Sequence, residues 1–368
     1  MFLNNAWYVA AWGNELAGQP LARDICGQPV VLYRDSDGVP VALANACPHR
    51  FAPLSMGAPI GDDLRCGYHG LRFGRDGRCT HNPLHGHAIP ETLRVRAFPV
   101  VERHGMIWVW MGDADRVDEA AIPDFSFHTD PAFRRIGGMF EVKANYELIT
   151  DNILDLTHGE FVHPNLLSTP TVTESRLETA REGTTIWANR WMPDGIIPPA
   201  WSAAFDNWDK PVAQWGYVRW DAPAHMVLDI GIAPVGGART DGIWLYGTDI
   251  FTPKDDTSTY YFWAFSRNYE IDNPDVDAMW HAAIDLAFIG QDKPMLEAQQ
   301  QTIGTRDIMD LRPVMVSSDA ASTRVRRMLR KLIRDEAAGG GGLKVSGQPP
   351  LDLLAQRQHS NAPIEPVV

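Results

Sequence analysis

Two cysteines and two histidines stand in matched pairs between Cys47 and Gly70, as Cys47-Pro48-His49 and Cys66-Gly67-Tyr68-His69. Thiolate and imidazole both ligate metals, and zinc accepts such a quartet. The spacing argues against zinc. A single residue separates Cys47 from His49, where structural zinc sites place two to four. A two-iron cluster needs two thiolates on one iron and two imidazoles on the other, and each loop here offers one of each. Imidazole is neutral where thiolate is negative, so the potential of such a cluster rises. Sixteen residues between His49 and Cys66 leave room for a short hairpin between the loop tips. Pro48, Gly67 and Gly70 let those tips approach a cluster closely and present N–H groups to sulfur.

This ligand pattern is that of a Rieske [2Fe-2S] centre. Cys26 and Cys79 lack such partners and read as structural thiols. His81, His85 and His87, in CTHNPLHGHAIP, read as loop histidines near the cluster rather than a further metal site.

A second constellation lies in NYELITDNILDLTHGEFVHPN. Asn152, Asp155 and His158 recur every third residue, which on a helix places them on one side. His163 follows, and Pro164 biases it out of the helix so that its ring can turn to the same point. Alone, the pattern also fits an amphipathic helix with capping and surface polar groups. Beside a Rieske pattern it supplies two histidines of a non-haem Fe(II) facial triad, which requires one carboxylate. Asp292 is the expected third ligand. It lies in a late helix with Ile289 and Leu296 on its side, where a desolvated carboxylate is costly unless paired or metal-bound. Pro294 would disturb the helix beside it. Asp285, one to two turns earlier, is the alternative.

The elements that must position these groups are of two kinds. Up to about residue 118 the chain reads as short strands: PVVLYRD and VPVALAN flank a turn at Ser36–Gly38, and LRVRAFPVVERHGMIWVWMGD turns at His104–Gly105. Beyond it, residues 141–163 read as helical. Long aromatic-rich strands follow, then a helix from Asn273–Pro274 onward. This predicts an α+β chain, with a small β domain over 1–118, a catalytic domain over 119–336 and a flexible tail over 337–368. Within ASTRVRRMLRKLIRDE, Val325, Met328, Leu329 and Leu332 share one helix face. The basic residues read either as a solvated face or as a docking site for an acidic electron donor.

A formal net charge of −13 over 368 residues argues against a nucleic-acid binder. No apolar run approaches the ~20 residues that span a bilayer, the N-terminus does not read as a signal peptide, and the cysteine usage suits a reducing, cytoplasmic setting.

The chain resembles the α-subunits (oxygenase components) of Rieske non-haem iron oxygenases, of the vanillate and dicamba O-demethylase type. The resemblance rests on NNAWYVAAW, ANACPHRFAPLS, CGYHGLRF, VVERHGMIWVWMGD, NYELITDNILDLTHGEFVH, YYFWAFSRNY and QDKPMLEAQQ. It implies an all-β Rieske domain followed by a helix-grip (START-like) catalytic domain with an antiparallel sheet. It implies that Cys47 and Cys66 hold one cluster iron, His49 and His69 the other, and His158, His163 and Asp292 the mononuclear Fe(II). Asp155 would bridge a cluster histidine of a neighbouring subunit to His158 in a head-to-tail homotrimer, and Asn152 would sit close to the iron. Gln291 stands where relatives often carry an acid. With no evident dinucleotide fingerprint, NADH would be oxidised by a separate flavin reductase, with or without a ferredoxin. The implied reaction is hydroxylation of a carbon next to oxygen or nitrogen, followed by O- or N-dealkylation of an aromatic compound. Alignment to the family gives Leu228, Asp249 and Ala283 as pocket residues. None is cationic, so a neutral substrate is expected, a chloroacetanilide-type herbicide being one concrete case. Ring dihydroxylation, and a non-enzymatic Rieske electron-transfer protein, are the alternatives.

Overall fold

The computed structural model describes residues 1–84, 89–164, 166–205 and 208–345. His85, His87 and the chain beyond residue 345 lie outside them.

The N-terminal half is built from short antiparallel strands. Gln28–Arg34 and Pro40–Ala44 form the hairpin read from the sequence, within a four-stranded sheet completed by Leu21–Ile25 and Ala97–Phe98. Val100–Arg103 and Met106–Trp110 turn back at His104 and Gly105, both at positive φ, and pair with Trp7–Trp12. A second four-stranded sheet, Ala58–Ile60, Asp63–Arg65, Arg72–Phe73 and Cys79–His81, carries the cysteine–histidine loops.

The C-terminal half is a seven-stranded antiparallel sheet. In spatial order its strands are Arg134–Val142, Ser258–Arg267, Ile243–Asp255, His225–Pro234, Val212–Asp221, Thr185–Gly195 and Leu177–Glu182. Strand alternation gives it two faces. On one, Trp263 and Phe265 pack against the late helix, with Phe265–Trp280 ring centroids 5.5 Å apart and Tyr261–Phe288 5.6 Å. On the other, Val227, Tyr246, Ile250 and Phe262 share an apolar cluster with Trp7, Trp12, Trp108 and Trp110 of the first half. The halves are further tied by Cys26 N–H donating to the Pro253 carbonyl (2.8 Å) and Thr252 Oγ1 to the Val9 carbonyl (2.7 Å). Both free thiols outside the cluster loops are buried, and burial pushes Cys26 up to about 12.

Two expectations are corrected here. The closing helix, Ala320–Ala337, buries Val325, Met328, Leu329 and Leu332, but also Arg326, which donates to Glu147 (2.7 Å) and Asp151 (2.6 Å). Arg330 pairs with Asp307 and Lys331 with Asp335. Much of the basic face is therefore neutralised within the chain. The segment after the helix is not a loose tail at its start. Arg116 donates to the carbonyls of Gly340 and Gly341, Leu343 packs into the core, and Lys344 N–H donates to Thr184 Oγ1 (3.0 Å).

Candidate metal centres and substrate cavity

The two cysteine loops have the same backbone construction. Phe51 N–H donates to the Cys47 carbonyl (2.7 Å) and Gly70 N–H to the Cys66 carbonyl (3.1 Å). Cys47 N–H donates to Ala52 and Cys66 N–H to Leu71. The fourth residue after each cysteine has positive φ, +57° at Phe51 and +75° at Gly70. Glycine adopts that conformation freely, whereas Phe51 adopts it at a steric cost. Gly67 is required for a different reason: a Cβ there would lie 2.6 Å from the Met56 carbonyl oxygen.

These loops bury Cys47 and Cys66 while leaving His49 exposed and His69 half-buried, the two imidazole centroids 4.7 Å apart. Burial, with Cys66 alongside, pushes the Cys47 thiol up to about 11. A thiol in this setting ionises readily only beside a cation. Buried sulfurs within and imidazoles without fit a cluster held at the loop tips.

The second site forms where two helices end. Tyr146–Leu154 is capped by Asn145, whose side chain accepts from Glu147 N–H (2.9 Å). The helix stops at Asp155 (φ −112°, ψ 85°), so the three-residue spacing is not one helix face. Asp155 instead starts a new turn: its Oδ1 accepts from Thr157 N–H (3.1 Å) and Oγ1 (2.6 Å), and its carbonyl accepts from His158 Nδ1 (2.6 Å). Gly159 follows, where a Cβ would press on Ser168 at 3.0 Å. His163 ends the short helix Gly159–Val162 and is buried.

Asp292 closes the set. The late helix is α over Pro274–Ile284, π-helical over Asp285–Asp292 and α again over Lys293–Ile303. The extra residue per turn delivers Asp292 inward, while Asp285 and Ile289 face solvent. Pro294, with no N–H to return to the preceding turn, sits where the α-helix resumes. Asp292 Oδ2 lies 3.0 Å from His163 Nε2 and Oδ1 3.5 Å from His158 Nε2. One ligand atom from each of the three residues lies within 4.8 Å of the others. Asn152 Nδ2 also reaches Asp292 Oδ1 (3.3 Å), and Gln291 Oε1 lies 2.8 Å from His163 Nδ1. Both Nδ1 atoms thus face acceptors, which sets the tautomer with each Nε2 lone pair free to bind a metal. Burial alone would lower His163, but its contacts with Asp292 outweigh this and raise it. The donor set fits a divalent iron.

Above the triad opens a cavity of roughly 120 Å³. A dry engineered cavity of ~150 Å³ admits benzene, so this one matches a single aromatic ring. Its walls include Leu156, Val172, Leu228, Ile232, Phe265 and Phe288. Leu228 lines it; Asp249 and Ala283 do not. Asp249 is fully buried to one side, accepts from Tyr261 Oη (2.6 Å), and is pushed up to about 7 by burial. Ala283 is packed into the core. Trp215 borders the cavity, but its indole turns to the opposite face and donates to Asp229 (2.9 Å). The residue missed from sequence is Arg190, which also borders the cavity. The expectation of a neutral substrate, drawn from a pocket with no cationic member, therefore loses its premise.

A Rieske cluster loop pair on a β domain and a two-histidine, one-carboxylate centre under an antiparallel sheet define a Rieske oxygenase. Residues 6–99 match the Rieske [2Fe-2S] domain family, and residues 142–335 match the vanillate O-demethylase oxygenase C-terminal domain family. The chain belongs to this family of oxygenase components, which work in multicomponent systems with a [2Fe-2S] cluster, a non-haem iron and a separate electron-transfer partner. It is 40% identical to the oxygenase component of dicamba O-demethylase from Stenotrophomonas maltophilia, over 92% of this chain and 99% of that one. It is 37% identical to the oxygenase component of chloroacetanilide N-alkylformylase from Rhizorhabdus wittichii, over 91% and 97%. The crystal structure of dicamba monooxygenase bound to 3,6-dichlorosalicylic acid superimposes with a TM-score of 0.88 at 40% identity, covering 92% of this chain and 99% of that one. No helix among the described residues is long and apolar enough to cross a membrane.

Proposed function

We propose that this chain catalyses oxidative O- or N-dealkylation of an aromatic compound with O2 and NADH-derived electrons. The observation that carries this reading is the convergence of His158, His163 and Asp292 at one side of an apolar, ring-sized cavity. In this reading Cys47 and Cys66 hold one cluster iron and His49 and His69 the other. His158, His163 and Asp292 would hold the mononuclear iron, which would supply O2 activation.

The chain's own groups do the rest. Asn152 restrains the Asp292 carboxylate, while Gln291 and the Asp155 carbonyl fix the two imidazoles. The apolar walls exclude water and hold the ring so that the carbon beside the heteroatom faces the triad. Hydroxylation there gives a hemiacetal or hemiaminal, which collapses to an aldehyde and a phenol or amine. Asp155 bridges His158 to a cluster histidine of the next subunit in a cytoplasmic homotrimer. A flavin reductase, with or without a ferredoxin, is the electron donor.

Two tests belong here. Purified protein, NADH and a surrogate reductase should release aldehyde and dealkylated product in equal amounts from O- and N-alkyl aromatics; a cis-diol without aldehyde would replace this reading with ring dihydroxylation. Gln291→Leu should weaken iron retention against a chelator by about 10- to 100-fold, the usual cost of losing a partner to a metal-bound histidine, whereas Gln291→Glu should preserve it.

A further inference from the structure

The basic face of the closing helix is largely neutralised within the chain. A second basic face is not. The sheet that carries the cluster loops turns Leu64, Phe73 and Cys79 into the core. Strand alternation sends Arg65, Arg72 and Arg78 to the other side. Arg65 stands directly across the ladder from Arg72, and Arg78 directly across from Arg94. Like charges in opposed positions destabilise a sheet. Among the described residues Arg65, Arg72 and Arg94 make no ion pair, nor does Arg50 on the first cluster loop. Arg78 reaches Asp76 at 3.4 Å, with both side chains largely in solvent. The four strands carry a single carboxylate, Asp63, which accepts from Thr80 Oγ1 (2.6 Å). Arg75, by contrast, is surrounded by Asp35, Asp37 and Asp62.

The cationic face adjoins the cluster loop. Arg65 and Arg72 form the last rung before it. The next hydrogen bond along the ladder is Cys66 N–H to the Leu71 carbonyl (2.7 Å), and the loop beyond holds Cys66 and His69. At the loop tips Phe51, Met56 and Tyr68 are exposed. The tip is thus apolar and its flank cationic, so a protein seated on the flank leaves His49 and His69 free. Between Asn45 and His81 stand five arginines and three aspartates, in a chain of net charge −13. An acidic protein is repelled by such a chain as a whole and attracted at this flank, which steers its approach to the cluster.

We propose that the face formed by Arg65, Arg72, Arg78 and Arg94 is the docking surface for the electron donor, and that the donor is an acidic one-electron carrier protein. One electron passes from the reduced carrier to the oxidised cluster, the carrier being oxidised as the cluster is reduced, and no bond forms or breaks. The opposed arginines, which a free-standing sheet would be more stable without, are accounted for by that contact. The proposal rests on the separate electron donor and not on dealkylation, since cluster reduction is followed without substrate.

The test mixes oxidised holoenzyme with an acidic plant-type [2Fe-2S] ferredoxin held reduced by its own reductase and NADPH. Freeze-quench paramagnetic resonance separates the two clusters and gives the bimolecular rate constant. The native rate should fall at least about tenfold between low salt and roughly 0.3 M salt, as a steered encounter does. The double variant Arg65→Gln, Arg72→Gln should be slower by at least about tenfold at low salt and lose most of that salt dependence. Arg65→Lys should keep most of the rate, because the charge remains. Reduction by photoreduced deazaflavin, an uncharged donor, should be unchanged in every variant. The Tm of the double variant should hold or rise, since opposed like charges are relieved; a structural role for the pair would lower it. Arg94→Gln, at an exposed position, should slow the ferredoxin step in smaller measure and serves should the double variant fail to fold. A native rate indifferent to salt, or no reduction by the ferredoxin, would overturn the proposal. So would slower reduction by deazaflavin in the double variant, which would make the arginines supports of the cluster. A change of its mass in sedimentation would assign the face to contact between copies of this chain instead.

Discussion

Replacing Asp292 with alanine should take the protein from about three iron atoms per chain to about two, the cluster pair remaining. Aldehyde release should fall by at least about a thousandfold, because without a held metal nothing in the cavity activates O2. The physical basis is that Asp292 is the only anionic member of the triad and is buried between two histidines, 3.0 and 3.5 Å from their Nε2 atoms. Two neutral imidazoles alone bind ferrous iron weakly. Iron analysis, with the visible spectrum of the cluster as internal reference, reads both numbers. Asp285→Ala is the control: that residue is exposed, and its loss should change neither. Retention of the third iron in Asp292→Ala would overturn the ligand assignment.

Asp155→Asn should separate metal binding from electron delivery. The backbone carbonyl that receives His158 Nδ1 is untouched, and an asparagine oxygen can still accept from Thr157. Iron content and cluster spectrum should therefore stay as in the native protein. What disappears is the negative charge beside Arg190 that, in the proposed trimer, would face the neighbouring subunit's cluster histidine. Oxidation of the pre-reduced cluster in a single turnover with substrate and O2 should slow by about 10- to 100-fold, as is usual when an outer partner of a metal-bound histidine is removed. Unchanged single-turnover kinetics would place the electron path elsewhere.

Much of this architecture was legible from the residues because the chemistry is local. The cysteine–histidine pairs lie within 24 residues and the strands of the large sheet are long and aromatic-rich. What escaped was long-range or depended on an unusual backbone. The edge strand Arg134–Val142 carries Gly137 and Gly138, poor strand formers that are needed because Trp263 of the next strand crowds them; a Cβ on Gly137 would meet its carbonyl oxygen at 2.6 Å. The spacing of Asn152, Asp155 and His158 reads as one helix face, yet the chain breaks at Asp155, which spends its side chain on the next turn. Arg190 gave no signal because a lone arginine in a strand reads as solvent-facing. Its burial follows from Ser175 and Asp155, which no spacing connects to it. Phe51 held the position that glycine holds in the other cysteine loop, and only the pairing of the two loops reveals it.

The π-helical stretch before Asp292 bears on how such a site can change over evolutionary time. In an ordinary helix, which side chain faces inward is decided by residue identity at a fixed position. Where the winding carries a surplus residue, it is decided by length. Loss of one residue between Asp285 and Asp292 would let the turn relax to α geometry with the carboxylate kept near its present bearing, whereas rewinding all eight residues as α-helix would carry it around the axis, away from both histidines. An alignment with a chain one residue shorter here must open a gap inside this helix, or it pairs the carboxylate with a neighbouring column.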